Sequence, residues 1–315
     1  MNTGRSFADL LVTQKSRGTT KLEKIHSLVK WDRYKYRLNK ILNRSGLGPT
    51  GYDPLQLFQV LILQNLYGLS DPEMEDMLYD RISFRRFCGF SLNDKIPDET
   101  TLCRFRSALQ GHTDKLFALI LEDIKSKGIS LKSGTIVDAT IIASSVRPPA
   151  GGEVSKKDPQ AGWTKKGGEY TYGYKAHVGS DVETGLIKRI ISTSGDVYDG
   201  KVFVQLLEGD EPETYADKAY ESRENRQALK DNGIKDKIMY KAPRNKRQPR
   251  WQIDLNKLWS KTRCQIERIF GHWKRNYGLD RCRYKGWEKN QVHFDLVGMA
   301  YNLNRTINIL GRSTG

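Results

Sequence analysis

Three carboxylates stand beside apolar residues where an acid is unexpected. Asp138 lies inside Ile136-Val137-Asp138-Ala139-Thr140-Ile141-Ile142, and Asp217 closes Thr214-Tyr215-Ala216-Asp217. Glu267 follows Ile266 and precedes Ile269 and Phe270 in a segment with helical spacing. An acid within a strand expected in a sheet costs several kcal/mol unless it is paired or holds a cation. One acid from a strand middle, one from a strand end and one from a helix can meet at one point. Oxygen-only ligand sets suit hard divalent cations such as Mg2+. Two such ions about 3.5–4 Å apart can activate a water or a 3'-hydroxyl and stabilise the leaving oxygen of a phosphodiester. Taken singly, each acid has a plainer reading as a cap or an ion-pair partner, and Arg263, four residues before Glu267, supplies one.

The surroundings of Glu267 are basic. The segment WSKTRCQIERIFGHWKRNYG, Trp259 to Gly278, carries Lys261, Arg263, Arg268, Lys274 and Arg275. The whole chain of 315 residues has 53 Lys and Arg against 37 Asp and Glu, a net charge of +16. A long globular chain with that excess points to a polyanionic partner, nucleic acid before a membrane surface. Cations around a carboxylate pocket would then hold the phosphates of the substrate. Arg263 and Lys274, at i−4 and i+7 from Glu267, fall on roughly its face of the helix. Lys165 and Lys166 in WTKKGG, Lys175 in YGYKAHVG, and Arg244, Lys246 and Arg247 in RNKRQPR are the other candidates for phosphate contacts. Tyr174 is a further candidate for the nucleic-acid face, while His177 reads as a core histidine.

Positioning these residues requires a sheet and a long helix. Residues 1–130 read as helical: Asp53-Pro54 opens a helix, Leu55, Phe58, Leu61, Ile62 and Leu66 share one face, and Gly68 ends it. Ser70 caps a second helical unit, and PDETTLCRFRSALQ opens a third. Arg81, Arg85, Arg86, Arg104 and Arg106 on these short helices would be the contacts of a helix-turn-helix reader, or else solvated charges on a bundle. From residue 134 the composition turns β-branched. SGTIVDATIIASS reads as a strand and the polar run 146–170 as a loop. TYGYKAHVGSD and LIKRIISTSG form a hairpin around VETG, KVFVQLLEG is a short helix, ETYADKAY and KDKIMYKAP are strands, and SRENRQALKDNG is a helix. The expected fold is α/β, a mixed sheet flanked by helices over 131–315, preceded by an all-helical domain over 1–130 that binds DNA or dimerises.

The segments IVDATII, YGYKAHVGSDVETGLIKRIISTSGDVYDG, ETYADKAYES and RCQIERIFGHWKRNYGLDRCRYKG resemble the Asp-Asp-Glu transposases of bacterial insertion sequences, in particular the IS-five family. That group carries Tyr-x2-Arg-x3-Glu-x6-Lys around its catalytic glutamate. Read from Glu267, the Arg falls on Arg263 and the Lys on Lys274, while the Tyr position holds Ser260. The resemblance spans about residues 134–310, and YDPLQLFQVLILQNLYGLSDPEMEDMLYDRISFRRFCGF looks like the family's N-terminal domain. It implies an RNase H-like core and a catalytic, metal-holding triad of Asp138, Asp217 and Glu267 with two Mg2+ ions, Mn2+ substituting. It also implies DNA cleavage followed by strand transfer. The DNA would be double-stranded, the terminal inverted repeats of an element and a target, with the protein at least a homodimer on it. Asp217 and Glu267 are only 50 positions apart, by subtraction of 217 from 267, which leaves no room for a large insertion in that core.

Cys88, Cys103, Cys264 and Cys282 lack the spacing of a zinc site or a disulfide frame. The N-terminus has no signal-peptide core, and no stretch approaches the roughly 20 apolar residues of a membrane span. A cytoplasmic, nucleoid-associated protein is expected. The alternatives are a nuclease that cuts without joining and a sequence-specific DNA-binding protein.

Overall fold

The computed structural model describes residues 20–42 and 51–313, which fall into two compact units. The N-terminal stretch read as lacking a leader lies outside the described residues. One unit takes in the described residues up to Ile129 together with those from Asp295 on; the other is Ser130–Phe294.

The first unit is helical: α1 (Lys21–Leu28), α2 (Asp32–Ile41), α3 (Pro54–Tyr67), α4 (Asp71–Asp80), α5 (Ile82–Cys88), α6 (Glu99–Ala108) and α7 (Thr113–Lys125). The start of α3 is fixed as its sequence dictates. Asp53 accepts the Leu55 N–H, Pro54 fills the first turn, and Gly68 ends the helix at φ 66°. The single apolar face expected of α3 is not what forms: Leu57 to Leu66 are all buried, including Gln59, Gln64 and Asn65, because α2, α4, α5 and α6 all pack against it. Its polar groups are satisfied inside the unit. Asn65 donates to Leu61 O at 2.7 Å, and Gln64 shares a buried cluster with Arg106 and Asp71. Two arginines considered as nucleic-acid contacts are therefore structural: Arg106 holds Asp71, and Arg85 donates to the carbonyls of Leu78, Ser91 and Leu92. Arg81, Arg86 and Arg104 are exposed, Arg86 pairing with Glu23 at 2.7 Å.

The second unit is a six-stranded mixed sheet: β1 (Thr135–Ala143), β2 (Gly162–Lys166), β3 (Glu169–Asp181), β4 (Ile187–Ser194), β5 (Glu213–Ala216) and β6 (Lys235–Ile238). The strand order is β2-β3-β1-β5-β6, with β4 also on β3. The pairs β1–β3, β3–β4 and β2–β3 are antiparallel, and β1–β5 and β5–β6 are parallel. This is the RNase H-like arrangement. Helix α8 (Arg223–Asp231) links β5 to β6, and α9 (Arg250–Asn276) packs on β1 and β5. Val137, Ala216, Phe203, Leu206, Tyr220, Leu229 and Ile238 build a core on the sheet.

Two expectations are corrected here. The run WTKKGGEY, read as loop, pairs as the hairpin β2–β3 around Gly167 and Gly168, whose φ of 60° and 92° suits a two-glycine turn. Its residues are polar on both faces, so no alternation marks them as strands. KVFVQLLEG, read as one helix, forms two short 3-10 turns, Asp199–Val202 and Val204–Leu206.

The C-terminus also differs from a plain division at residue 130. Helix α10 (Trp287–Ser313) is one unbroken 27-residue helix, grouped with the sheet up to Phe294 and with the helical unit from Asp295 on. Asp295 accepts a 2.6 Å hydrogen bond from the Thr113 hydroxyl at the start of α7. Among the described residues no helix is long and apolar enough to cross a membrane.

Candidate active site

The parallel ladder of β1 and β5 pairs Thr135 with Thr214, Ile136 with Tyr215 and Val137 with Ala216. The next residue on each strand is an aspartate. Asp138 and Asp217 therefore emerge side by side at the carboxyl end of β5, the region of an open α/β sheet where ligands bind. Asp138 Oδ1 accepts the N–H of Ala139 at 2.8 Å, and Asp217 Oδ1 accepts the N–H of Lys218 at 2.6 Å. Helix α9 brings Arg263 to both acids. Its Nη2 lies 2.8 Å from Asp138 Oδ2 and its Nη1 3.7 Å from Asp217 Oδ1, with a side chain 8% exposed. Nη1 also reaches Met239 Sδ at 3.4 Å, and the buried Nε has no partner among the described residues.

Glu267 follows Arg263 by one helical turn on the same face of α9 and is exposed. Among the described residues no group of three or more His, Cys, Asp or Glu is gathered as a metal cluster. The structure thus joins Asp138, Asp217 and Arg263, and it does not gather Glu267 into a cluster with them. Burial pushes the Asp138 carboxyl above the usual carboxylate range, opposed by Arg263, the Ala139 N–H and Lys166. The donor set is hard oxygen, and the gap between the two carboxylates already accommodates a cationic group. In that respect the pair fits a divalent cation.

Lys274 is exposed on α9, and its ammonium is held below the usual lysine range, first by desolvation and then by Lys166. Lys166 therefore lies within electrostatic reach of both Lys274 and Asp138, at the far end of the β2–β3 hairpin. Lys165 is exposed and sits 4.7 Å over the ring of Tyr170. Arg244, Lys246 and Arg247 are exposed in the loop before α9, where Asn245 has a φ of 59°.

Three sequence candidates are placed elsewhere. Lys175 is 11% exposed and donates to Asp199 Oδ1 and Val197 O, both at 2.8 Å, so it is a buried ion pair and not a surface cation. Tyr174 is fully buried and donates to Asp158, which also accepts the Ser144 hydroxyl at 2.6 Å and the Gly286 N–H at 3.1 Å. Arg263 faces the acids, not solvent, because its stem is buried on β1 and β5. Sequence reading passed over Met239, which caps the guanidinium, and Tyr220, whose buried hydroxyl has no partner among the described residues. The spacing Asp217-x2-Tyr220 in one 3-10 turn was the available signal.

His177 is a core residue, as read. Its Nε2 is 2.8 Å from Thr193 Oγ1, and its buried Nδ1 has no partner among the described residues. Burial pushes the imidazole down from 6.5 to about 4, opposed by the nearby Asp199 and aided to a lesser extent by Lys175. The unfolded imidazole takes a proton that the folded one refuses, so this group costs stability as pH falls from 6.5 toward about 4. The loss amounts to roughly 3 kcal/mol at most. His177→Gln is expected to flatten the stability profile over that window, measured by urea unfolding at several pH values.

A family model described as "Transposase DDE domain" matches residues 129–303, more than half of the chain, and one described as "Transposase domain (DUF772)" matches residues 11–108. The chain belongs to the DDE transposases. Such a domain implies dependence on a divalent metal. Two solved structures are similar at low identity. One is a piggyBac transposase synaptic complex with hairpin DNA, with a TM-score of 0.46 and 11% identity over 94% of this chain and 77% of that one. The other is a pre-cleavage Mos1 transpososome, with a TM-score of 0.23 and 10% identity over 82% of this chain and 96% of that one.

Proposed function

We propose that this transposase is of the IS-five type: that it binds the terminal inverted repeats of its own insertion sequence, cuts the DNA at their ends and joins the released 3' ends to target DNA. The observation that carries the reading is the β1–β5 register, which sets Asp138 beside Asp217 beneath the helix that bears Glu267. These three residues would hold Mg2+, two ions per site, with Mn2+ as a substitute. A divalent cation there supplies Lewis-acid activation of the attacking water or 3'-hydroxyl and charge neutralisation at the leaving oxygen. The protein's own groups do the rest. The N–H groups of Ala139 and Lys218 orient the carboxylates, and the partial burial of Asp138 strengthens its pull on a cation. Lys166 and Lys274 hold phosphates flanking the scissile bond, and no Ser, Tyr or Cys nucleophile is called for.

The test is a labelled duplex carrying the inverted repeats that flank the reading frame, incubated with Mg2+ and a target plasmid. Nicking at the repeat end followed by joined product is the expected result. Cutting without joining would make the protein a nuclease, and binding without cutting would make it a repeat-specific binder. Two ends must be brought together for joining, so a homodimer on DNA is expected by size-exclusion chromatography with light scattering. Lys274→Ala and Lys166→Ala should each reduce the slope of log affinity against log salt by about one. An unchanged slope would place that lysine away from the backbone.

A further inference from the structure

We propose that Arg263 is a built-in counter-ion of the Asp138–Asp217 pair and that a divalent cation occupies the site by displacing its guanidinium. The inference rests on the metal-dependent reading above. Two carboxylates side by side, one within β1 and one just past the end of β5, repel each other when both are ionised, and one of them is largely desolvated, so without a compensating charge the arrangement is costly. The compensating charge is already present: one nitrogen of Arg263 is 2.8 Å from Asp138 and the other is 3.7 Å from Asp217.

The guanidinium is held in a way that permits its release. Arg85, an arginine locked for structure, gives its Nε to Leu78 O and its Nη1 to Ser91 O and Leu92 O. Among the described residues, Arg263 has one short hydrogen bond to oxygen, a thioether contact with Met239 and a buried Nε with no partner. Thioether sulfur is a weak acceptor, so the grip on Arg263 is mainly the charge of the two acids. A compact divalent ion offers those acids twice the charge and outcompetes the planar monovalent group. Glu267, one turn along α9 on the same face, is an exposed carboxylate that can then turn toward the cation. Arg263 is accordingly a positioning residue: it keeps the acids together before the metal arrives and sets the affinity with which the metal is taken up.

The experiment titrates Mn2+ into the full-length chain by isothermal calorimetry, alongside thermal unfolding with and without the metal. Arg263→Gln is expected to bind Mn2+ about tenfold or more tightly than the wild type, because the internal competitor is gone. Its melting temperature should fall below the wild type's without metal and recover with Mn2+. Arg263→Lys, which keeps a charge, should stay close to the wild type in both readouts. A folded Arg263→Gln protein that binds Mn2+ no better than the wild type overturns the proposal. If Arg263→Gln does not fold without metal, refolding in Mn2+ supports the proposal, and failure to refold at a concentration that saturates the wild type overturns it. Asp138→Asn separates the two levels: wild-type Mn2+ affinity in that variant puts the metal elsewhere and removes the functional reading itself, whatever Arg263→Gln does.

Discussion

Asp138→Asn is expected to lower metal-dependent strand cleavage by about three orders of magnitude or more, since losing roughly 4 kcal/mol of transition-state stabilisation gives that factor. Asparagine has the same shape, so its amide oxygen still accepts the Ala139 N–H that now holds Oδ1 at 2.8 Å. What is lost is the charge and, with it, the Oδ2 acceptor that takes the Arg263 Nη2 hydrogen bond at 2.8 Å. Folding should survive, because the substitution removes a carboxylate that burial already penalises, and Arg263 retains Asp217 as a partner. Asp217→Asn and Glu267→Gln should show the same loss, Glu267 despite its exposure, if the next turn of α9 supplies the third ligand. Single-turnover cleavage of a labelled repeat end gives the rate, and a gel-shift assay on the same DNA gives binding. An Asp138→Asn protein that cuts within tenfold of the wild type would remove this residue from the chemistry.

How much of this was legible in the sequence depends on the range of the interaction involved. The β-branched run around Asp138 and the turn signals at VETG are local, and β1, β3 and β4 form where they were read. That Asp138 and Asp217 are neighbours could be stated only as a possibility, because it depends on a parallel register between segments 79 residues apart, by subtraction of 138 from 217. The direction of Arg263 was beyond reach for a similar reason. Helical spacing puts it on the face of Glu267, but only the packing of α9 on β1 and β5 decides whether a long side chain turns inward. Lys175 shows the limit of charge alone: a lysine in a strand suits a phosphate contact, but its partner Asp199 lies beyond the next strand, where no local pattern announces it. The helical unit teaches the converse. Its caps at Asp53, Ser70 and Asp98 are local hydrogen bonds and form as written, whereas the burial of α3 on every side follows from how many helices surround it.

A second buried charge holds the frame on which the two aspartates stand, and removing it should be the largest single loss of stability in the sheet unit. Lys188→Met is expected to cost about 3–5 kcal/mol at neutral pH, the usual penalty for leaving one member of a buried pair uncompensated. The Lys188 and Glu211 side chains are each 1% exposed and 3.2 Å apart, and Lys188 also reaches Thr135 Oγ1 at 3.0 Å and Glu208 at 3.0 Å. These contacts tie β4 to the first residue of β1 and to the turn that leads into β5. Burial alone would raise the Glu211 carboxyl, but the N–H groups of Glu208 and Gly209 together with Lys188 hold it below its usual value of 4.5. A depressed carboxylate contributes stability above its unfolded value and loses it as pH falls through the folded one. With methionine at 188 the carboxyl rises instead, so the deficit should be largest near pH 7 and shrink as Glu211 takes up a proton. Lys188→Met combined with Glu211→Gln should recover part of the loss at pH 7, because no buried charge is then left unpaired. Urea unfolding at pH 7 and at mildly acid pH, followed by hydrogen exchange of the β1 amides, measures both effects. A Lys188→Met protein within about 1 kcal/mol of the wild type, with β1 equally protected, would show that the cluster adds nothing to the register that brings Asp138 to Asp217.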